Sequence, residues 1–271
     1  MTTSNELPIG VFDSGVGGLT VVRQLRRLLP REDIVYLGDT ARVPYGTKSP
    51  STVVRFACED TQFLLERHVK AVIVACNTCS AWALPLLRKR YDVPIFGVIE
   101  PGVRAGLKRS RSKRIGVIGT SATIRSAEYS RGILAQCAEA KVVARATPLL
   151  VPLVEEGWLN HSTTSAVLRE YLRPLLRAKI DTLILGCTHY PLLKSAIAKV
   201  VGPNVKLIDS ADACAADVRE RLAHMGLLTE CRKPRTIQSF VTDETERFVD
   251  LARRFVGAKI DPAQRVELAP I

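Results

Sequence analysis

Residues 71–78 read AVIVACNT, and 111 positions beyond Cys76 the stretch 181–190, DTLILGCTHY, sets Cys187 in the same surroundings. Each is a short apolar run that ends in a cysteine followed by a small polar residue. Each then gives way to a helical pattern and a second apolar run closing on an acidic residue, IFGVIEPG at 95–102 and VKLIDSAD at 205–212. Strands that are apolar almost throughout belong to parallel sheets covered on both faces, and their alternation with helices is the crossover pattern of α/β proteins. A second pair, IGVFDSG at 9–15 and RIGVIGTSAT at 114–123, repeats at a similar offset. A period of this length is too long for a solenoid. It predicts two similar lobes, each presenting a cysteine at the tip of a strand.

Two further runs, IVYLGDT at 34–40 and TIQSFVTDE at 236–244, complete the series. The expected fold is therefore α/β, with two similar three-layer lobes built on mainly parallel sheets. Functional groups in such sheets sit in loops at the carboxyl ends of the strands, which places the site in the cleft between the lobes.

The chain has 271 residues, enough for two medium domains with a sizeable core. Its apolar fraction of 46% and charged fraction of 24% fit a globular α/β protein and exclude fibrous and disordered classes. The start, MTTSNELPIG, lacks the basic and apolar regions of a secretory leader. No stretch is long and apolar enough to span a bilayer, so the expected location is cytoplasmic and without membrane. Seven cysteines are then expected as free thiols. The net charge of +12 attracts anions, either small substrates or nucleic acid. Its densest run, KRSRSKR at 108–114, lacks the interleaved aromatics of a single-strand binding surface and reads first as a solvated segment.

Cys76 and Cys79 form a C-x-x-C pair, open to three readings: a redox dithiol, half a zinc site, or two buried thiols. Zinc wants four ligands, and no second C-x-x-C or H-x-x-x-H exists. The second copy of the motif, GCTHY, has no second cysteine, which weighs against a thioredoxin-type pair. What remains is one cysteine per lobe, each expected at a helix N-terminus, where the helix dipole lowers a thiol pKa from its usual ~8.5. Two thiols facing across a cleft suit inversion at carbon, one removing a proton and the other delivering one from behind. Gly15, Gly17 and Gly18 also admit a dinucleotide loop, but Thr20 stands where the third glycine should be.

FDSGVGG (12–18), GDTARVPYG (38–46), ACNT (75–78), GVIEPG (97–102), LVEEG (153–157) and GCTHYPLL (186–193) together closely resemble bacterial glutamate racemase, in order and over most of the chain. The resemblance implies interconversion of L- and D-glutamate for peptidoglycan synthesis, by two cysteines with no pyridoxal phosphate, metal or nucleotide. The nearest rival is an aspartate racemase sharing the cysteines; the GDTARVPYG loop favours glutamate. A rival of another class is a nucleic-acid or protein-binding role for the basic surface.

Carried over by position, the resemblance makes Cys76 and Cys187 the acid/base thiols. Asp13 and Ser14 would contact the substrate ammonium and organise the Cys76 side; Asp13 also reads as an N-cap. Pro44, Tyr45 and Gly46 would line the pocket, their other reading being a simple turn. Asn77, Thr78 and Thr188 would offer donors to the substrate carboxylates, or merely cap helices. His189 would assist ionisation of Cys187, and Asp39 and Glu155 would support the cysteines, with Glu156 competing for the second assignment. Cys79 stands where the family commonly has a small residue and would be incidental, or an oxidation partner of Cys76. By the same resemblance the first lobe comprises residues 1–97 with 208–271, and the second 98–207. The candidate partners besides glutamate are a second copy of the chain and DNA gyrase, on which some family members are reported to act.

Overall fold

The computed structural model describes residues 4–231, 235–257 and 262–271. The N-terminal stretch read for a leader thus begins outside the described residues, and the segment 208–271 includes 232–234 and 258–261, also outside them. In chain order the first elements are β1 (Ile9–Asp13), α1 (Leu19–Leu28), β2 (Ile34–Gly38), α2 (Pro50–Leu65), β3 (Ala71–Val74), α3 (Asn77–Trp82), α4 (Leu84–Arg90), β4 (Ile95–Gly97) and α5 (Ile99–Arg109). There follow β5 (Arg114–Gly119), α6 (Ser121–Ser126), α7 (Glu128–Gln136), β6 (Lys141–Ala146), α8 (Leu150–Glu155), α9 (Ser162–Arg177), β7 (Thr182–Gly186), α10 (Lys194–Val201) and β8 (Lys206–Asp209). The last are α11 (Ser210–His224), β9 (Ile237–Val241), α12 (Thr245–Val256) and β10 (Gln264–Arg265).

All eight apolar runs read from the sequence are strands. Two more, β6 and β10, join them at sheet edges. KVVARA in β6 is largely solvent-facing and carries Lys141 and Arg145, a composition that edge strands use to discourage further pairing and that breaks the apolar-run signal. At two exposed residues, β10 is too short to show any pattern.

The strands sort into two sheets, ordered β10-β9-β2-β1-β3-β4 and β6-β5-β7-β8, and every pairing is parallel. The order β2-β1-β3-β4 in the first is the order β6-β5-β7-β8 in the second, so the sequence repeat is a repeat of topology. In each sheet the chain leaves the central strand in opposite directions, and that reversal opens a crevice at the carboxyl ends. Asp13 and Cys76 flank the crevice of the first sheet, Thr120 and Cys187 that of the second.

Alternate residues of the first sheet enter different cores. Phe12, Leu37, Val72 and Val74 pack with Val53 and Leu64 of α2 and Leu87 of α4. Ile9, Val11 and Ile73 join a larger cluster that continues through Val218 of α11 and Val103 of α5 to Val117 and Ile184 of the second sheet. Helix α11 packs against α1 on one side and α5 on the other, so both lobes share one apolar core. Ile184 lies fully buried in it. An Ile184→Ala variant is expected to lose about 2–5 kcal/mol of folding free energy, the typical cost of such a truncation. Urea denaturation would read this as a lower midpoint, and an unchanged midpoint would contradict a shared core at this position.

Candidate active site

The loop after β1 and the turn after β7 meet at very close range. A Cβ on Gly17 would lie 2.2 Å from Thr188 Oγ1 and 2.6 Å from the His189 ring, and one on Gly18 would lie 2.5 Å from Asp13 Cβ. Gly17 lets the two lobes approach and Gly18 lets the loop fold back against the end of β1, which accounts for both without a bound phosphate. Thr20 Oγ1 donates to Gly17 O at 2.9 Å and to Thr188 O at 3.0 Å, tying α1 to the second lobe. Asp13, fully buried at the end of β1, accepts from Gly15 N at 3.0 Å, and Thr188 Oγ1 lies 3.5 Å from its other oxygen. Burial pushes the Asp13 carboxyl above its ordinary range, against the positive charge of His189 and the bonds from Gly18, Gly15 and Thr188.

Cys76 occupies the N-cap position of α3, as expected, with its Sγ 3.6 Å from Ser14 Oγ. Its thiol sits below the ordinary cysteine range. The largest cause is a hydrogen bond from the Cys79 side chain, opposed by burial and by the Asp13 charge, with a Cys79 backbone bond and Ser14 adding to it. Cys79 is fully buried and its own pKa is driven well up, so it stays protonated and able to donate. The C-x-x-C spacing thus puts a neutral thiol one turn beyond the first, against the Cys76 sulfur.

Cys187 has different surroundings. It was expected at a helix N-terminus; it lies instead in a turn between β7 and a 3-10 helix, Tyr190–Leu193, that precedes α10. Pro191 suits this short turn, having no N–H to give an α-helical ladder. The field at Cys187 comes from a side chain. His189 Nδ1 lies 3.9 Å from the sulfur, and His189 Nε2 lies 3.0 Å from Glu155 Oε1. Burial opposes a charged imidazole here, but the bonds to Cys187 and Glu155 outweigh it and push the His189 pKa up to about 10. Glu155 is held below its ordinary range by His189 and, more weakly, Arg247, against burial. Phe255 of α12 closes the far side of the imidazole, ring centroids 5.2 Å apart at 85°.

Both cysteines, each only 5–6% exposed, line one cavity of about 410 Å³. Ser14, Asn77, Thr78, Thr188, His189 and Glu155 also form its wall, as do Pro44, Tyr45 and Gly46. Glu156 reaches the wall too. Asp13 does not; it stands behind Ser14 and Thr188. Asn77 Oδ1 accepts from Tyr129 at 2.7 Å, while its buried Nδ2 has no partner. Asp39 binds neither cysteine. It bonds Arg42, Tyr45 and Thr242, within a buried network where Arg42 also pairs with Glu59 and Asp60. Burial and the Asp39 charge push Asp60 well above the carboxylate range despite Arg42. The network clamps the Pro44–Gly46 loop onto α2. Among the described residues, no three His, Cys, Asp or Glu side chains are grouped to hold a metal ion, and no helix is long and apolar enough to cross a membrane.

Thr120 and Ser121, and Pro148, Val151 and Pro152 around the start of α8, also line the wall and were not anticipated. The first two were within reach of the repeat: aligning IGVFDSG with IGVIGTS sets Thr120 opposite Ser14. Thr120 Oγ1 lies 2.9 Å from Thr78 Oγ1, a further hydroxyl contact between the lobes.

The profile of the Asp/Glu/Hydantoin racemase family matches residues 9–218. The chain belongs to that family. The glutamate racemase of Geobacter metallireducens is 48% identical over 260 residues, 96% of each chain. That of Neisseria meningitidis is 46% identical over 262 residues, 96% of this chain and 97% of the relative. Among solved structures, a glutamate racemase isoform from Bacillus anthracis matches with a TM-score of 0.94 at 40% identity, covering 97% of this chain and 98% of that one. The Francisella tularensis glutamate racemase, solved in complex with D-glutamate, matches at 0.91 with 38% identity over 97% and 98% of the two chains. An aspartate racemase from Picrophilus torridus, 21% identical with a TM-score of 0.54, shares the fold alone. The protein is thus an amino-acid racemase by family and fold, in agreement with the motif resemblance.

Within this racemase site the His189–Glu155 pair generates a pH prediction. Glu155 raises the His189 pKa, so Glu155→Gln lowers it, and the imidazolium is lost at lower pH. The alkaline limb of kcat/KM is expected to move to lower pH, with kcat down ~10–100-fold, the equivalent of a hydrogen bond to a charged group at ~1.5–3 kcal/mol. A profile superimposable on wild type would remove Glu155 from any role in proton transfer.

Proposed function

We propose that the protein interconverts L- and D-glutamate in the cytoplasm, with Cys76 and Cys187 as the two acid/base groups, and so supplies D-glutamate for peptidoglycan. The observation that carries this reading is the placement of the two cysteines at equivalent strand ends of two repeated sheets, in the wall of one cavity. The full-length relatives named glutamate racemase support the choice of substrate over aspartate.

In the forward direction one sulfur, as thiolate, takes the proton from the α-carbon, and the other, as thiol, returns a proton to the opposite face; the reverse reaction exchanges the roles. The α-proton of an amino acid is barely acidic in water, so the site must favour the charge that develops on the α-carboxylate. The unpartnered Asn77 Nδ2 in the wall is a donor suited to a carboxylate oxygen, since a buried donor left unmade is costly. Thr78, Thr188 and the Tyr45–Gly46 loop stand around it. Ser14, backed by the buried Asp13, faces the substrate ammonium. On the Cys76 side Cys79 and Ser14 steady the thiolate; on the Cys187 side His189 does, with Glu155 fixing the ring.

The test is the optical rotation of L-glutamate over time with the purified protein under reducing conditions. Rotation is expected to decay to zero, and Cys76→Ala and Cys187→Ala to slow the decay by at least ~100-fold each, within the range of a lost general acid or base. In D2O the product should carry deuterium at Cα. Decay of L-aspartate but not L-glutamate would replace the substrate, and full activity in either alanine variant would sink the two-thiol mechanism.

A further inference from the structure

The KRSRSKR run left unused by the racemase site is one part of a larger feature. Parallel strands collect their N-terminal ends on one side, and in the second sheet those ends are joined in a line. Lys141 N donates to Lys113 O at 2.8 Å, Asp181 N to Arg114 O at 3.0 Å, and Lys206 N to Asp181 O at 2.8 Å. Arg114 is in register with Lys141, and Thr182 with Lys206. The helices and turns that feed these strands end on the same side, adding Arg109, Arg111, Arg177 and Lys179.

Arg109, Arg111, Lys141, Arg177, Lys179 and Lys206 are all exposed. Among the described residues none of the six is ion-paired, whereas Arg42, Lys70, Arg88, Arg104 and Lys194 each meet a carboxylate. The turns that lead into these four strands carry two acids. Glu139 is exposed beside the start of β6. Asp181 is spent on the chain itself, accepting from Ser110 Oγ at 2.6 Å and from the N–H groups of Arg111 at 2.8 Å and Ser112 at 2.6 Å. It thereby fixes the basic turn in place.

From this arrangement we infer that the N-terminal end of the second sheet is a docking surface for the phosphate backbone of double-stranded nucleic acid. Four strands at ~4.8 Å spacing make a cationic line ~14 Å long, comparable with the ~12 Å between the phosphate walls of a major groove. Arginine and lysine side chains on such a line neutralise phosphates and release counterions, without reading sequence. The segments that form it, 108–114, 137–141, 177–182 and 202–206, contain no aromatic residue for stacking on unpaired bases. Their larger apolar side chains, Ile180 and Val205, are buried, so nothing at this end enters a lipid surface. The surface stands at the end of the strands opposite the cavity, and the inference does not rest on the racemase reading.

The experiment is fluorescence anisotropy of a labelled 20-base-pair duplex DNA of arbitrary sequence, titrated with the full chain at 50 and 200 mM salt. Contact with about four phosphates is expected to weaken binding about a hundredfold between the two salts. The triple variant Arg109→Glu, Arg111→Glu, Lys141→Glu is expected to lose binding at 50 mM while retaining wild-type racemase kinetics and circular dichroism, which separates a surface effect from misfolding. The single variant Lys206→Glu should weaken binding by a smaller factor. No binding at 50 mM, equal binding by the triple variant, tighter binding to a single strand, or binding to phosphatidylglycerol vesicles in preference to the duplex would each overturn the inference.

Discussion

The contact between the β1–α1 loop and the β7 turn is the constraint on which the rest of the molecule depends. Two independent sheets each offer a crevice, but a crevice becomes a two-sided site only if something brings the pair face to face. Here the missing Cβ of Gly17 permits the approach, and the Thr20 hydroxyl fastens it by donating to the carbonyls of Gly17 and Thr188. The Thr78–Thr120 contact closes the same seam from the other direction. Asp13, buried at the junction, links Thr188 and the glycine loop and feels the charge of His189, so backbone approach and site electrostatics are set by the same few residues.

The two halves are related by topology yet surround their cysteines differently. The Cys76 half relies chiefly on neutral donors, a buried thiol and a serine hydroxyl, with no cation bonded to the sulfur. The Cys187 half relies on a buried imidazolium held by a carboxylate. Repetition of the backbone therefore supplies the facing geometry, while the surroundings of each cysteine are set by positions at which the two copies differ, such as Thr78 against His189.

This division explains what the sequence made legible. The eight apolar strands stand out because burial on both faces leaves no polar positions to obscure them, and the recurrence of a strand-tip cysteine points to Cys76 and Cys187 without reference to contacts. Edge strand β6 is hidden by the charges that protect it, although the repeat order would have demanded a counterpart to β2. The network beneath Tyr45 is opaque for another reason: Arg42 meets Glu59 and Asp60 from a different helix, a convergence that no local spacing encodes. Cys79 lies between these cases. Its distance from Cys76 along the helix is plain from the sequence, but its effect on that sulfur depends on complete burial, which only the packed structure supplies.

The shared apolar core carries a consequence for motion. Because α11 is wedged against both α1 and α5, the lobes cannot swing apart about a free hinge without opening a packed interior. Relative displacement is confined to small sliding of helices across one another. Traffic into and out of the cavity must then be borne by its rim, where Val43 stands exposed in the wall and Leu149 stands exposed beside Pro148. Entry and exit would be set by the breathing of a doorway in a rigid house, with the reacting groups themselves kept still.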